Sequence, residues 1–163
     1  MTLARALAVA AACVATAAVA QTFPVRVLTP ETALKAAQSA LAKRRAQGYQ
    51  VAVAVVDRSG ITQVLLRDRH AGPHTVDVAA NKAWTAVSFK SSTRDLERLT
   101  RAGETMSGLR SLPRFVAIGG GLMVEAGGSL LGAIGVSGAP GGDADHACAA
   151  AGVESIAEEI ELQ

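Results

Sequence analysis

Aromatic side chains are scarce in this sequence: one Trp, one Tyr and three Phe make up 3% of 163 residues. The core must therefore be aliphatic and tightly spaced, built from Ala, Val, Leu and Gly. Cysteine is almost as rare. Cys13 falls within an N-terminal apolar run, so Cys148 is the one thiol beyond it, which excludes an internal disulfide. Cys148 reads as a small buried hydrophobe, with an intermolecular disulfide or a thiolate ligand as the alternatives. Neither sign of charge dominates. Sixteen Lys and Arg face fourteen Asp and Glu, and nothing denser than Lys43-Arg44-Arg45 concentrates the cations. Nucleic-acid binding is not suggested, and the triplet reads as a solvated face near a helix end. There is no internal linker and no repeat. Of the phosphate-binding motifs, neither G-x-x-x-x-G-K-[ST] nor G-x-G-x-x-G between a strand and a helix occurs.

Long apolar runs are confined to the N-terminus. Arg5 is the single charge in the first twenty residues, Ala6 to Val19 is almost all Ala, Val and Leu, and Ala18-Val19-Ala20 closes the run with small residues. This is the pattern of a secretory signal peptide over residues 1–20. The residues are too few and too small for a membrane-spanning helix. A lipoprotein would use Cys13, but Ala10-Ala11-Ala12 before it lacks the usual Leu. Cleavage before Gln21 would leave a single domain over 21–163, periplasmic or secreted, with a net charge of about +1.

From Thr29 onward the chain alternates between helix and strand signals. Thr29-Pro30-Glu31 opens a helix with a cap, a proline at the first position and an acid at the positive dipole end; Gly48 ends it. Val51 to Val56 is a buried strand, Asp57 to Gly60 a turn, and Ile61 to Arg67 the returning strand of a hairpin. Thr75 caps the next helix, whose apolar stripe runs Val76, Ala79, Ala80, Ala83, Trp84 and Val87. Ser92-x-x-Asp95 opens a short helix to about Arg101. Phe115 to Ile118, Leu122 to Glu125 and Leu130 to Val136 read as three more strands, with Gly127-Gly128 as a hairpin turn. Asp143 to Leu162 is the closing helix. The expected fold is α+β: a mainly antiparallel five-stranded sheet flanked by helices, in the order α-β-β-α-α-β-β-β-α.

Candidate chemistry is sparse. The glycines from Gly119 to Gly142 let a sheet bend and let a backbone or ligand approach closely. Ser137 in G-V-S-G-A misses the last glycine of a nucleophile elbow. Asp143-Ala144-Asp145-His146 offers metal-ligand types, but acids at a helix start also serve the N–H groups and dipole there. His70 and His74 are four apart with Gly72 and Pro73 between them, and zinc would need further ligands. His74 stands just before a helix, on a loop framed by proline. That is a position from which a neutral imidazole can ligate haem iron or, more simply, hydrogen-bond the loop.

Three segments then carry a resemblance. Ala71-Gly72-Pro73-His74-Thr75 with Asn81-Lys82-Ala83-Trp84-Thr85-Ala86 is similar to the G-P-H-T…K-A-[YW]-T-A segment of the GlcG/HbpS-like haem-binding family, a DUF336-type family related to the C-terminal domain of PduO-type proteins. Gly119-Gly120-Gly121 and Leu131 to Gly138 resemble its G-G-G-x-P…G-A-I-G-V-S-G signature. Gly142 to Gly152 resembles its G-D-x-D-x-x-C-A-x-A-G ending. Met123 replaces the usual proline, and His146 stands where an acid is common. The resemblance implies an antiparallel sheet packed with helices, homo-oligomers, and in several members export, haem binding and links to haem degradation or redox sensing.

On that basis the expectation is an exported binding protein for haem or a related tetrapyrrole, more a binding protein than an enzyme. His74 is the candidate axial ligand to haem iron. Trp84 and Met123 would line an apolar pocket. Lys82 is the candidate for a propionate, or else an ordinary helix-surface lysine. Two alternatives stand beside it: an enzyme or accessory acting on a small organic acid such as a 2-hydroxy acid, and an oligomeric partner of a sensor protein without a ligand of its own.

Overall fold

The computed structural model describes residues 24–162, so the expected signal peptide lies outside the described residues. Thr29 caps α1 (Pro30–Arg45): its Oγ1 accepts from the Thr32 N–H at 3.2 Å, with Pro30 at the start of the helix. Gly48 adopts φ +78°, the left-handed conformation that lets the chain turn away. The hairpin forms as expected from β1 (Ala52–Asp57) and β2 (Thr62–Arg67), with Val53 opposite Leu66.

β1 shows why this sequence makes a layered fold. Val51, Val53 and Val55 enter the main core with Ala33, Ala36, Ala37 and Ala40 of α1. Ala52, Ala54 and Val56 face the opposite way, toward α2 (His74–Phe89). A period-two strand thus gives its large residues to one helical layer and mostly small ones to the other. The small face lets α2 approach closely. A Cβ added to Gly135, on the strand beside β1, would lie 2.1 Å from the Ala79 carbonyl oxygen.

Among the described residues the sheet has four strands, not the expected five, in the order β2-β1-β4-β3 and antiparallel throughout. β3 is Gly121–Ala126 and β4 is Ser129–Ser137. Gly127 and Gly128 join them with φ of +54° and +70°, the signs that a two-residue type I′ hairpin requires. The missing strand is Phe115 to Ile118. Its β-branched and apolar residues read as a strand, but its backbone bonds outside the sheet: Phe115 N–H donates to the Leu112 carbonyl at 3.2 Å. Val116 N–H donates to Thr85 Oγ1 at 3.0 Å and Gly119 N–H to a Glu97 carboxylate oxygen at 3.3 Å. Phe115 folds edge-on against Phe89, 5.1 Å between ring centres.

Ser92 caps α3 (Thr93–Leu99) through the Asp95 N–H, in line with the Ser92-x-x-Asp95 pattern. The closing helix divides into α4 (Gly142–Glu154) and α5 (Ala157–Glu161). α1 and α4 cover one face of the sheet and α2 the other. Two local expectations change. Thr75 is not the cap of α2: Pro73 holds that position, and Thr75 Oγ1 donates to the Gly72 carbonyl at 2.6 Å from inside the first turn. Arg44 is not on a solvated face: it is buried, with its guanidinium 5.0 Å from the centre of the Tyr49 ring.

Candidate functional site

A cleft of about 460 Å³ opens where the first turns of α2 and α4 meet the C-terminal end of β4. That volume lies within the usual range for small-molecule sites. Gln50, His70 and Gly72 border it on the hairpin side, and Ile118, Val78 and Ala139 supply apolar wall. Gly138 and Gly141 turn the chain from β4 into α4 with φ of +126° and +106°. Gly138 also has to be bare: a Cβ there would meet the Gln50 carbonyl oxygen at 2.8 Å. A smaller cavity of about 190 Å³ lies near Arg26, Leu28 and Thr32. Its one cation is used structurally, since the Arg26 guanidinium donates to the Ala126 and Ile160 carbonyls.

His74 stands at the mouth of the large cleft as the first residue of α2. Its ring folds over Gly72, where a Cβ would come within 2.7 Å of Cε1. The bare glycine leaves room for the ring there. Among the described residues the imidazole has no hydrogen-bond partner, so the alternative of a loop-bonded histidine is not what forms. His70 lines the same cleft, although it lies on the loop before α2 and does not share a helical face with His74.

Lys82, two turns along α2, lies on the floor and is 2% exposed, so it is no ordinary surface lysine. Its Nζ donates to Asp145 Oδ2 at 2.7 Å and to the Val136 carbonyl at 3.0 Å. Asp145 is 4% exposed, and its Oδ1 accepts from the Ala139 N–H at 3.0 Å. A nearly desolvated ion pair thus ties α2, β4 and α4 together at the bottom of the cleft. Read from sequence, Asp145 is one more acid at a helix start. The signal that points to the pair is Lys82 itself, which falls next to Ala83 and one turn from Ala79 on the buried side of α2.

Trp84 and Met123 are not brought to this cleft. Trp84 faces the other end of α2, stacked under Arg114 at 4.9 Å and close to Gly60. Met123 pairs across the sheet with Ala133, well along β3. Cys148 is buried; its thiol donates to the Ala144 carbonyl at 3.2 Å, and burial holds its pKa above the ordinary thiol value. His146 lies outside the cleft, near Arg94, Asp95 and Asp143. Among the described residues no three His, Cys, Asp or Glu side chains gather into a metal-ligand set. Ser137, by contrast, fails the nucleophile-elbow pattern, yet it lines the cleft and is 6% exposed.

The arrangement can be set beside known proteins. HbpS of Streptomyces reticuli, solved as a double mutant, is 41% identical with a TM-score of 0.76, and the match covers 88% of this chain and 97% of that one. A solved complex of PduOC with haem is 28% identical with a TM-score of 0.76, over 80% of this chain and 95% of that one. The corrinoid adenosyltransferase PduO of Salmonella typhimurium is 37% identical over 101 residues, 60% of this chain but 30% of its own length. The chain therefore corresponds to under a third of that enzyme. The family model described as "Haem degrading protein HbpS-like" matches residues 28–154, which takes in the cleft, His74, the Lys82–Asp145 pair and every strand of the sheet. This chain belongs to the HbpS-like family.

Proposed function

We propose that this protein binds haem in the cleft at the start of α2, with His74 as the residue that meets the iron. The observation that carries the reading is the His74 imidazole, held at the cleft mouth over Gly72 with its nitrogens unengaged by other described residues. The cleft fits such a group in kind: an accessible imidazole, apolar wall from Val78, Ile118 and Ala139, and a width open to solvent on one side. His70 is the second imidazole within the same opening. The PduOC–haem complex supports the choice of ligand, because the same fold carries haem there. When bound, haem supplies redox-active iron, and the protein supplies contact, orientation and partial exclusion of water. Trp84 and Met123 have no part in the reading, and Lys82 acts through the floor of the cleft, not as a surface cation.

The wider role proposed is haem handling or redox sensing outside the cytoplasm. Export is supported by Arg5, the apolar run Ala6 to Val19 and the Ala18-Val19-Ala20 ending. Assembly into homo-oligomers, with a sensor protein as a further partner, is supported by exposed Ile61 and Leu65 on and beside the edge strand β2.

The test is a hemin titration of the purified protein followed at the Soret band, beside His74→Ala. Saturable one-site binding is expected. His74→Ala should weaken it by more than the roughly 10–100-fold that loss of an outer-shell partner costs at a metal site, and should change the spectrum. Saturable binding with an unchanged spectrum in the variant would remove His74 from the iron. No saturable binding would end the haem reading for this chain.

A further inference from the structure

The floor of the cleft has more donor capacity than its own residues use. Ser137 ends β4 on the face turned toward α2. Its neighbour Val136 enters the opposite core, and Gly135, two residues back, lies against Ala79 of α2. Alternation along the strand therefore aims the Ser137 hydroxyl at the first turns of α2. It is 6% exposed, lines the cleft, and has no hydrogen-bond partner among the described residues. The hydroxyl faces the open cleft, where it is free to bond a group that enters. Lys82 repeats the observation independently. An ammonium has three donors, and two are used, on Val136 and Asp145.

The surrounding field selects the sign of what fits. α2 and α4, sixteen and thirteen residues long, both begin at this cleft, and neither has a side-chain cap on its first-turn N–H groups. Each helix start carries roughly half a positive charge. The Lys82 charge is cancelled by Asp145, and both Asp145 oxygens already hold a donor. Both first turns also carry an acid, Asp77 on α2 and Asp143 on α4, but neither lines the cleft and Asp143 is paired outward with Arg94 at 2.8 Å, so what faces the cleft is two helix starts and spare donors. A group that accepts hydrogen bonds and carries one negative charge is favoured. Asp145 beneath it disfavours a second, so a monoanion fits better than a dianionic phosphate.

We infer that the floor of this cleft, formed by Ser137, Lys82 and the start of α4 at Gly142, is a binding subsite for a single carboxylate. Two sources share that chemistry: a haem propionate reaching inward while the iron meets His74, and a free small monocarboxylic acid. The first source rests on the haem reading; the second does not.

Ser137→Ala removes the hydroxyl and leaves a side chain like those of Ala52 and Ala54 on the same face. Hemin, hemin dimethyl ester and propionate are titrated into both proteins, with circular dichroism to check the fold. For a haem propionate, Ser137→Ala weakens hemin about tenfold, the scale of one hydrogen bond to a charged group. The ester then binds the unaltered protein more weakly than hemin and does not respond to the substitution. For a free acid, propionate binds and Ser137→Ala weakens it about tenfold while hemin is unaffected. Equal affinities in both proteins for both hemin and propionate would overturn the subsite. Hemin binding that still depends on His74 would in that case leave the haem reading intact. Binding of neither probe would overturn both.

Discussion

At the scale of single residues, the glycines divide by what stands against them. Gly103 and Gly108 have open space where a side chain would be. Gly135 does not: the Ala79 carbonyl oxygen, the Ala83 nitrogen and the Ala79 carbonyl carbon lie 2.1, 2.7 and 3.1 Å from a built Cβ. These are backbone atoms of a helix and cannot swing aside as a side-chain tip would. Gly135→Ala must push α2 away from the sheet, and the cleft at the start of that helix moves with it. The expected cost is at or above the ~1–3 kcal/mol of ordinary overpacking. It should appear as a lower midpoint in urea unfolding, with weakened hemin binding. Gly108→Ala, in open space on the short helical turn Ser107–Ser111, is the control and should change neither by more than about 0.5 kcal/mol. Equal midpoints for the two variants would refute the close-packing account.

At the scale of elements, Lys82 and Asp145 decide how α2 and α4 sit relative to β4. Both side chains are almost wholly removed from water, so each depends on the other for its solvation. Lys82→Met strands the Asp145 carboxylate and should cost about 3–5 kcal/mol. Adding Asp145→Asn restores neutrality while keeping an oxygen for the Ala139 N–H. The double variant should therefore be more stable than Lys82→Met alone, and additive losses in the double-mutant cycle would refute the coupling. Legibility from sequence divides along the same line between local and distant partners. Elements whose signals are local are legible: the Thr29 and Ser92 caps, the β1–β2 hairpin and the Gly127-Gly128 turn each depend on residues within a few positions. Phe115 to Ile118 is not, because whether a β-branched run becomes a strand depends on a free sheet edge being within reach. Here Thr85, far off in sequence, takes the Val116 N–H, and Glu97 takes that of Gly119 just beyond the run. The cleft is half legible. Gly72-Pro73-His74 marks its mouth, but Ser137 reaches its floor only through the pairing of β4 with β1, and Asp145 only through the seating of α4 against β4 and its bond to Lys82. Trp84 reads as an aromatic that lines the pocket, but it stands two residues from Lys82 along a helix, which turns its side chain to another face.

At the scale of the whole molecule, one helical layer rests on each face of a single sheet, and α3 joins the layers from the side by meeting both α2 and α4. That junction has a titratable group in it. His146 of α4 has its Nδ1 buried without a partner among the described residues. Burial foremost, and then Arg94 of α3, hold its pKa below the ordinary histidine value; Asp95 and Asp143 pull the other way without overcoming this. The unfolded chain therefore takes up a proton as pH falls through about 6.5, while the folded protein still resists it. Stability is fully present above that pH and is lost as pH falls toward the lower folded pKa. The exposed carboxylates act in a separate window. Asp95 is held low by the Ser92 hydroxyl and then by Arg98, and Glu159 by the Thr32 hydroxyl and Lys35, so their contributions persist until pH falls to about 4 and below. Urea midpoints at pH 7.5 and 5.5 thus isolate the histidine. The unaltered protein should lose stability between the two, and His146→Gln, which cannot take the proton, should lose measurably less. An equal drop in both proteins would mean that the α3–α4 junction opens to water before His146 ever feels its burial.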